Sequence, residues 1–312
     1  MGKKISKSKT WLAQTRANFL VLAVFLVAIG LAYAAKYQIN GTFNVLHALL
    51  LVLGTVLAHA SVNLFNEYSD FQTKIDFHTQ RTPFSGGSGM MVAGNTSPKS
   101  VLAASVGTLL AAAAIGVYFT IVSHWFIGVI TLIGAFAIVY YTKLLAKLLL
   151  GELFAGLTLG SLVVIGAYVA MNGTPETAFT DLVPVEVWLM SVPPGILTAL
   201  LLFLNEFPDA EADKKGGRNH LVIKLGKQKA AWVYVAGMVA TFGTILLLPV
   251  FGVSSWWVYL ALLPLPLAFK AAITAVKFGD NFDKIVPALG QNVMVVLATD
   301  LLIALAVFIE II

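Results

Sequence analysis

VWLMSVPPGILTALLLFLNEFPDAEAD, residues 187–213, joins two kinds of sequence that soluble domains keep apart. Its first eighteen residues (187–204) carry no charge, and its last nine (205–213) carry four carboxylates. An apolar run of about 17–25 residues, rising 1.5 Å per residue as a helix, covers the hydrocarbon of a bilayer. The first part therefore reads as a transmembrane helix and the second as its emergence into water. The phrase NEFPD (205–209) has a near copy, NEYSD (66–70), 139 positions earlier (205 − 66). That copy also follows an apolar run. Each is trailed by a further acid, Asp76 in the first case and Asp213 in the second.

The rest of the chain has the same character. Of 312 residues, 59% are hydrophobic and 11% charged, against about 25% charged in ordinary soluble domains, and the mean hydropathy is +0.88. Nine apolar runs are long enough to cross, near 17–35, 42–65, 101–123, 125–141, 153–171, 187–204, 230–251, 256–275 and 289–312. Only helices and closed barrels satisfy their backbone in lipid, and runs without period-2 alternation are helices. The sequence predicts an all-α membrane protein: one domain over residues 1–312, with nine transmembrane helices bundled around a central cavity.

The basic residues orient that bundle. All but Lys36 of the 20 Lys and Arg fall in the amino-terminal tail or in the even-numbered loops of a nine-helix chain. Positive residues mark the cytoplasmic face, so the amino end is expected inside. The net charge of +5 follows from this distribution and calls for no nucleic-acid partner. The basic tail, the first apolar run and Ala32-Tyr33-Ala34 imitate a cleavable secretory signal. The run is longer than a signal core and Arg16 abuts it, so a retained helix is expected. The chain has no cysteine, which excludes disulfides and thiol catalysis.

Seven of the 15 acids cluster in two long inside segments, 66–99 and 205–229. Asn66 and Asp70 are spaced i,i+4, and Asn205, Asp209 and Asp213 continue the same spacing, so a helix puts each set on one face. Carboxylates stacked about 6 Å apart repel one another unless a cation stands among them. Mg²⁺ suits such a place: it takes oxygen ligands and is usually held by one or two carboxylates together with substrate phosphates. Two acidic helix ends facing each other would grip a diphosphate from both sides, with Arg81, Lys143, Lys147, Lys214 and Arg218 near enough in sequence to take phosphate oxygens. The bland alternative, solvated loop charges at two helix ends, explains either segment alone better than both together. FSGGSG (84–89) reads as a phosphate cradle or, preferably, as a flexible connector. Pro193-Pro194-Gly195 predicts a kink that opens a cavity or aids packing. Asp300, inside the last run, is a functional suspect or a hydrogen-bonding residue between helices, and Glu152 is an acceptor-site candidate.

NEYSDFQTKID (66–76) and DAEADKKGGRNHLVIKLG (209–226) resemble the aspartate-rich motifs of the UbiA superfamily of intramembrane aromatic prenyltransferases. That family has N-x-x-x-D with a further Asp in one inside loop, and D-x-x-x-D with a basic, glycine-containing run in another. The likeness covers essentially the whole chain, and YTKLLAKLLLGELFAG (141–156) looks like the segment where the family often carries Tyr, Lys, Gly and Glu. Within the superfamily, WLAQTRANFL (11–20), Asn63 three residues before Asn66, and Arg81 after Asp76 look most like the 1,4-dihydroxy-2-naphthoate polyprenyltransferases of menaquinone synthesis. Glu67 departs from the pattern, which often has Asp there, and Pro208 predicts a local bend.

The resemblance implies Mg²⁺-dependent transfer of a polyprenyl group from polyprenyl diphosphate to a small aromatic acceptor, at the cytoplasmic side of a bilayer. It implies metal ligation by Asn66, Asp70, Asp76, Asn205, Asp209 and Asp213, the four aspartates among them being catalytic. It implies binding of phosphate or of the acceptor's carboxylate by Arg81, Lys143, Lys214 and Arg218, with Asn63 and the two motif asparagines also facing substrate. Dihydroxynaphthoate is the first acceptor, with 4-hydroxybenzoate, homogentisate and a glyceryl phosphate lipid as alternatives. A secondary transporter is the rival of another class, but its site belongs near the bilayer midplane, where only Asp300 lies deep. A CDP-alcohol phosphotransferase would need an Asp-Gly…Ala-Arg signature that this sequence lacks.

Overall fold

Apolar runs with no alternation have one way to bond their backbone without water, and each of them is helical here. The computed structural model describes residues 6–38 and 43–312, with the Lys143 side chain outside the described part. Lys3 and Lys4 of the basic tail, and Thr42 at the head of the second apolar run, also lie outside it. Among the described residues there is no strand. Eight helices among the described residues are long and apolar enough to cross a membrane: α1 (Ala17–Tyr37), α2 (Val45–Gln72), α3 (Pro98–Val122), α5 (Gly151–Asn172), α6 (Val185–Lys215), α7 (Lys227–Val250), α8 (Trp256–Phe278) and α9 (Phe282–Ile309). Between α3 and α5, the run expected to cross fourth forms α4 (Phe126–Tyr140), whose 15 residues reach about 22 Å at 1.5 Å per residue. It is short because the chain beyond it passes into a π-helical segment, Tyr141–Leu145. The chain is a multi-pass integral membrane protein.

Local sequence sets the ends. Asn44, Ser97 and Asn281 cap α2, α3 and α9, each side chain accepting from a backbone N–H in the first turn. Before α1 lies a short helix, Lys7–Gln14, capped by Ser6. The sites differ from a loop reading in one respect: α2 runs on to Gln72 and α6 to Lys215, so both Asn-Glu phrases are helical. Pro208 lies inside α6 without ending it.

Pro193 and Pro194 sit in the first turn of the Val192–Lys215 stretch of α6, just after Ser191. There a missing N–H costs nothing, because first-turn donors have no partner within the helix. The cavity-opening alternative for this triplet gives way to packing. A Cβ on Gly160 would meet the Gly195 Cα at 2.5 Å, and one on Gly156 the Gly195 carbonyl oxygen at 2.4 Å. With no hydrophobic force between helices in lipid, such close backbone approaches carry the association.

One apolar core runs through α1, α5, α6, α7, α8 and α9. Large apolar side chains on the outside, such as Leu110 and Ile121 on α3 or Leu132 on α4, are exposed, as lipid-facing residues are. The exceptional cation, Lys36, is clamped: its Nζ lies 2.8 Å from Glu186 Oε2 and 2.6 Å from Glu310 Oε2, and the Tyr37 hydroxyl donates to Glu186. The clamp ties the far end of α1 to the start of α6 and the end of α9.

Candidate active site

Helical continuation of α2 and α6 beyond their apolar runs puts the acids of both phrases at one end of the bundle. Arg218 joins them. Its Nη2 forms an ion pair with Asp70 of the first phrase, and its Nη1 lies 3.2 Å from Asp213 of the second. The Gly86 N–H donates to Asp209 Oδ2 at 3.1 Å, so the glycine-rich loop from the first segment also closes onto the second. Burial alone would pull the Arg218 guanidinium down, but the Asp70 and Asp213 carboxylates more than offset it and its pKa is raised.

Asp76 enters by a different route. Lys74 in left-handed conformation turns the chain after α2 into a 3₁₀ turn, Ile75–Phe77, that buries Asp76. Burial, with Glu67 and Asp70 close by, pushes its carboxyl up to about 7. Arg81 is exposed and donates to the Asp76 carbonyl oxygen at 2.9 Å, bracing the loop. Lys214 is exposed at the end of α6. Asn63 donates to the Thr15 carbonyl oxygen, and Asn66 accepts from Thr142.

The FSGGSG segment is a built strap rather than the flexible connector expected. Glu67, 3% exposed, accepts from the Ser88 N–H and hydroxyl at 2.5 and 2.6 Å and from Gln14 Nε2 at 2.9 Å. Gly87 has φ +68°, and a Cβ there would stand 2.9 Å from Asp76 Oδ1. Only glycine lets this turn press against the carboxylates.

Beside this end lies a mainly apolar cavity of about 300 Å³. Arg16, His59, Asn63, Asn66, Thr198 and Asn205 are among the polar and charged side chains that line it, and Tyr141 and Phe154 add aromatic faces. Ligand pockets of this kind are mostly apolar with a few convergent polar groups. Arg16 stands within electrostatic reach of Asp70, Asp76 and Asp209.

The donor set fits a hard divalent cation. Asp76 Oδ2, Asp209 Oδ1 and Asn205 Oδ1 are buried acceptor oxygens with no hydrogen-bond partner. Such groups are costly unless something positive meets them, and carboxylate and amide oxygens are what Mg²⁺ takes.

Several residues went unassigned in the sequence. Glu67 is a structural anchor. Glu206 and His220 lie with Glu152 in a buried group whose ligand atoms are all within 4.8 Å of one another. The signal was present in the repeat, since both phrases place Glu directly after Asn, about 100° around the helix from the Asn/Asp face. Asp300 is fully buried, and neither carboxylate oxygen has a hydrogen-bond partner.

Known proteins resemble this chain in sequence and in fold. The model of the UbiA prenyltransferase family matches residues 22–285. The 1,4-dihydroxy-2-naphthoate octaprenyltransferase of Bacillus subtilis (strain 168) is 28% identical over 82% of this chain and 79% of its own length. That of Escherichia coli (strain K12) is 25% identical over 99% and 98%. A UbiA homolog from Archaeoglobus fulgidus bound to DMAPP and Mg²⁺ superposes with a TM-score of 0.60 at 16% identity, over 96% of this chain and 99% of that one. With the fold, the paired acidic phrases and the match over most of its length in agreement, the chain belongs to the UbiA prenyltransferase family.

Proposed function

We propose that this prenyltransferase moves a polyprenyl group from polyprenyl diphosphate onto 1,4-dihydroxy-2-naphthoate, with Mg²⁺ held between the two phrases. One observation carries the reading: Arg218 pairs with Asp70 and Asp213 together, so both phrases serve one site. The naphthoate-specific names of the bacterial relatives favour that acceptor, and the archaeal homolog holding a prenyl diphosphate with Mg²⁺ favours the donor and the ion.

Asp70, Asp76, Asp209 and Asp213, with Asn66 and Asn205, are the residues that would hold the ions. Mg²⁺ supplies, when bound, neutralisation of the charge that develops on the departing diphosphate. Arg218 and Arg16 face the remaining phosphate oxygens or the acceptor's carboxylate, and Arg81, Lys143 and Lys214 are assigned the same role from the resemblance. The apolar cavity receives the isoprenoid and the ring and keeps water from the allylic carbon as its bond to oxygen breaks and the ring carbon bonds to it. That ring carbon then sheds its proton or, where it carries the carboxylate, CO₂, which restores the aromatic ring. Asn63, fixed by the Thr15 carbonyl, shapes that cavity. The topology assigned is nine crossings, with α4 as the short fourth, the amino end inside and the site on the cytoplasmic side.

The test is a product assay in which purified protein, Mg²⁺ and one labelled polyprenyl diphosphate meet a panel of acceptors: dihydroxynaphthoate, 4-hydroxybenzoate, homogentisate and a glyceryl phosphate lipid. Prenylated naphthoate by mass spectrometry is expected. Product from another acceptor with none from naphthoate overturns the acceptor, and no product with any acceptor overturns the reaction.

A further inference from the structure

Glu152 in the first turn of α5, Glu206 on α6 and His220 before the short helix Leu221–Leu225 come together behind the second phrase, all of them buried. Their sequence separations show that the fold, and no local motif, assembles them. Glu152 is aimed: its Oε1 accepts from the Leu221 N–H at 3.0 Å, which leaves Oε2 buried with no partner. Glu206 Oε2 and both ring nitrogens of His220 are likewise buried without a hydrogen-bond partner. His220 Nδ1 stands 3.3 Å from Glu206 Oε2, and Nε2 stands 3.3 Å from Asp213 Oδ2, neither contact being aligned as a hydrogen bond.

Glu152, Glu206 and Asp213 crowd three carboxyl groups around one imidazole, with Glu152 and Glu206 within hydrogen-bonding reach of each other. Buried polar groups crowded in this way are costly unless a proton or a metal ion joins them.

We propose that Glu152, Glu206 and His220 form a second divalent-cation site, distinct from the diphosphate site and selective for a zinc-class ion over Mg²⁺. The spacing suits it. Zinc bonds to N and O of about 2.0–2.1 Å set tetrahedral ligands about 3.3–3.4 Å apart, and the His220–Glu206 pair already stands at 3.3 Å. An imidazole nitrogen in the ligand set favours borderline transition ions over a hard oxygen-seeking one. Asp213, 3.3 Å behind Nε2, stands on the side that a carboxylate–histidine–metal order requires, where an aligned contact would fix the ring's tautomer and orientation. An ion at this place would hold His220 and, through it, Asp213, so the second phrase would be shaped from behind while its front face meets phosphate.

The experiment uses full-length protein in detergent micelles, washed with chelator and then given Co²⁺ in the presence of excess Mg²⁺. One tightly held Co²⁺ per chain with visible absorption of a low-coordinate nitrogen and oxygen site is expected, and Zn²⁺ should displace it. Glu152→Gln and His220→Ala should each weaken that Co²⁺ affinity on the order of 100-fold, whereas Asp70→Ala and Asp209→Ala should keep it. Co²⁺ that excess Mg²⁺ removes overturns the proposal. So does Co²⁺ lost in the Asp70 and Asp209 variants, or retained at full affinity in folded Glu152→Gln. Thermal unfolding without metal identifies a variant that has lost its fold, and Glu152→Gln keeps side-chain size for this reason. Failure of the prenyl-transfer reading appears in the product assay and leaves this binding measurement untouched.

Discussion

NEYSD and NEFPD place Asn, Glu, an aromatic ring and Asp at the same helical positions, yet their glutamates have opposite surroundings. Glu67 meets three neutral donors, from Gln14 and Ser88, and is satisfied. Glu206 meets a second carboxylate and an imidazole, and its Oε2 has no hydrogen-bond partner. The Asn/Asp faces of the two helices converge on Arg218 and the glycine-rich strap, while the Glu faces diverge into a structural anchor on one side and a crowded polar pocket on the other. A repeated phrase thus fixes direction around a helix, and what stands across from it decides the role.

The largest effect expected is symmetric between the copies. Asp70→Ala and Asp209→Ala should each lower prenyl transfer on the order of 10²–10³-fold, the usual cost of losing one electrostatic partner of the transition state, with circular dichroism unchanged. A loss in only one of them would break the pairing of the phrases. Next, the same conservative change should separate the glutamates. Glu67→Gln presents a donor where three donors converge and should destabilise the fold by about 2–3 kcal/mol. Glu206→Gln removes like-charge crowding and should leave metal-free stability unchanged or raised. Chemical denaturation of both variants in micelles reads the difference, and equal losses would show the two surroundings to be equivalent.

Gly86→Ala should have an intermediate effect of about 1–2 kcal/mol, because φ there is +85° and an added Cβ would stand 3.0 Å from the Arg81 Cα. Its N–H bond to Asp209 links the first segment to the second, so turnover should fall by less than in Asp209→Ala. The smallest change is Ser88→Ala, which removes one of Glu67's three donors and should cost about 1 kcal/mol without altering turnover.

The helices and the acidic faces were legible because both are local: apolar length sets a crossing, and i,i+4 spacing sets a face. The short fourth helix was not, since 125–141 is apolar throughout and only the geometry near Tyr141 shows where α-helix stops. Arg218, Asp70 and Asp213 were all named from sequence, but their joining through one guanidinium was not. Glu67's partners at Gln14 and Ser88, and the meeting of Glu152, Glu206 and His220, are long-range pairings. Periodicity tells where a side chain points and is silent on what it will face. Lys36 was legible as an exception to the charge rule, but the two carboxylates that hold it were not.

That clamp also has a consequence for biogenesis. Lys36 and Glu310 are 274 residues apart in the chain (310 − 36), and chains are made at about 5–20 residues per second, which puts about 14–55 s between the two. Throughout that interval the ammonium waits for its second carboxylate, so the clamp on the first helix can be completed only after the last one has emerged.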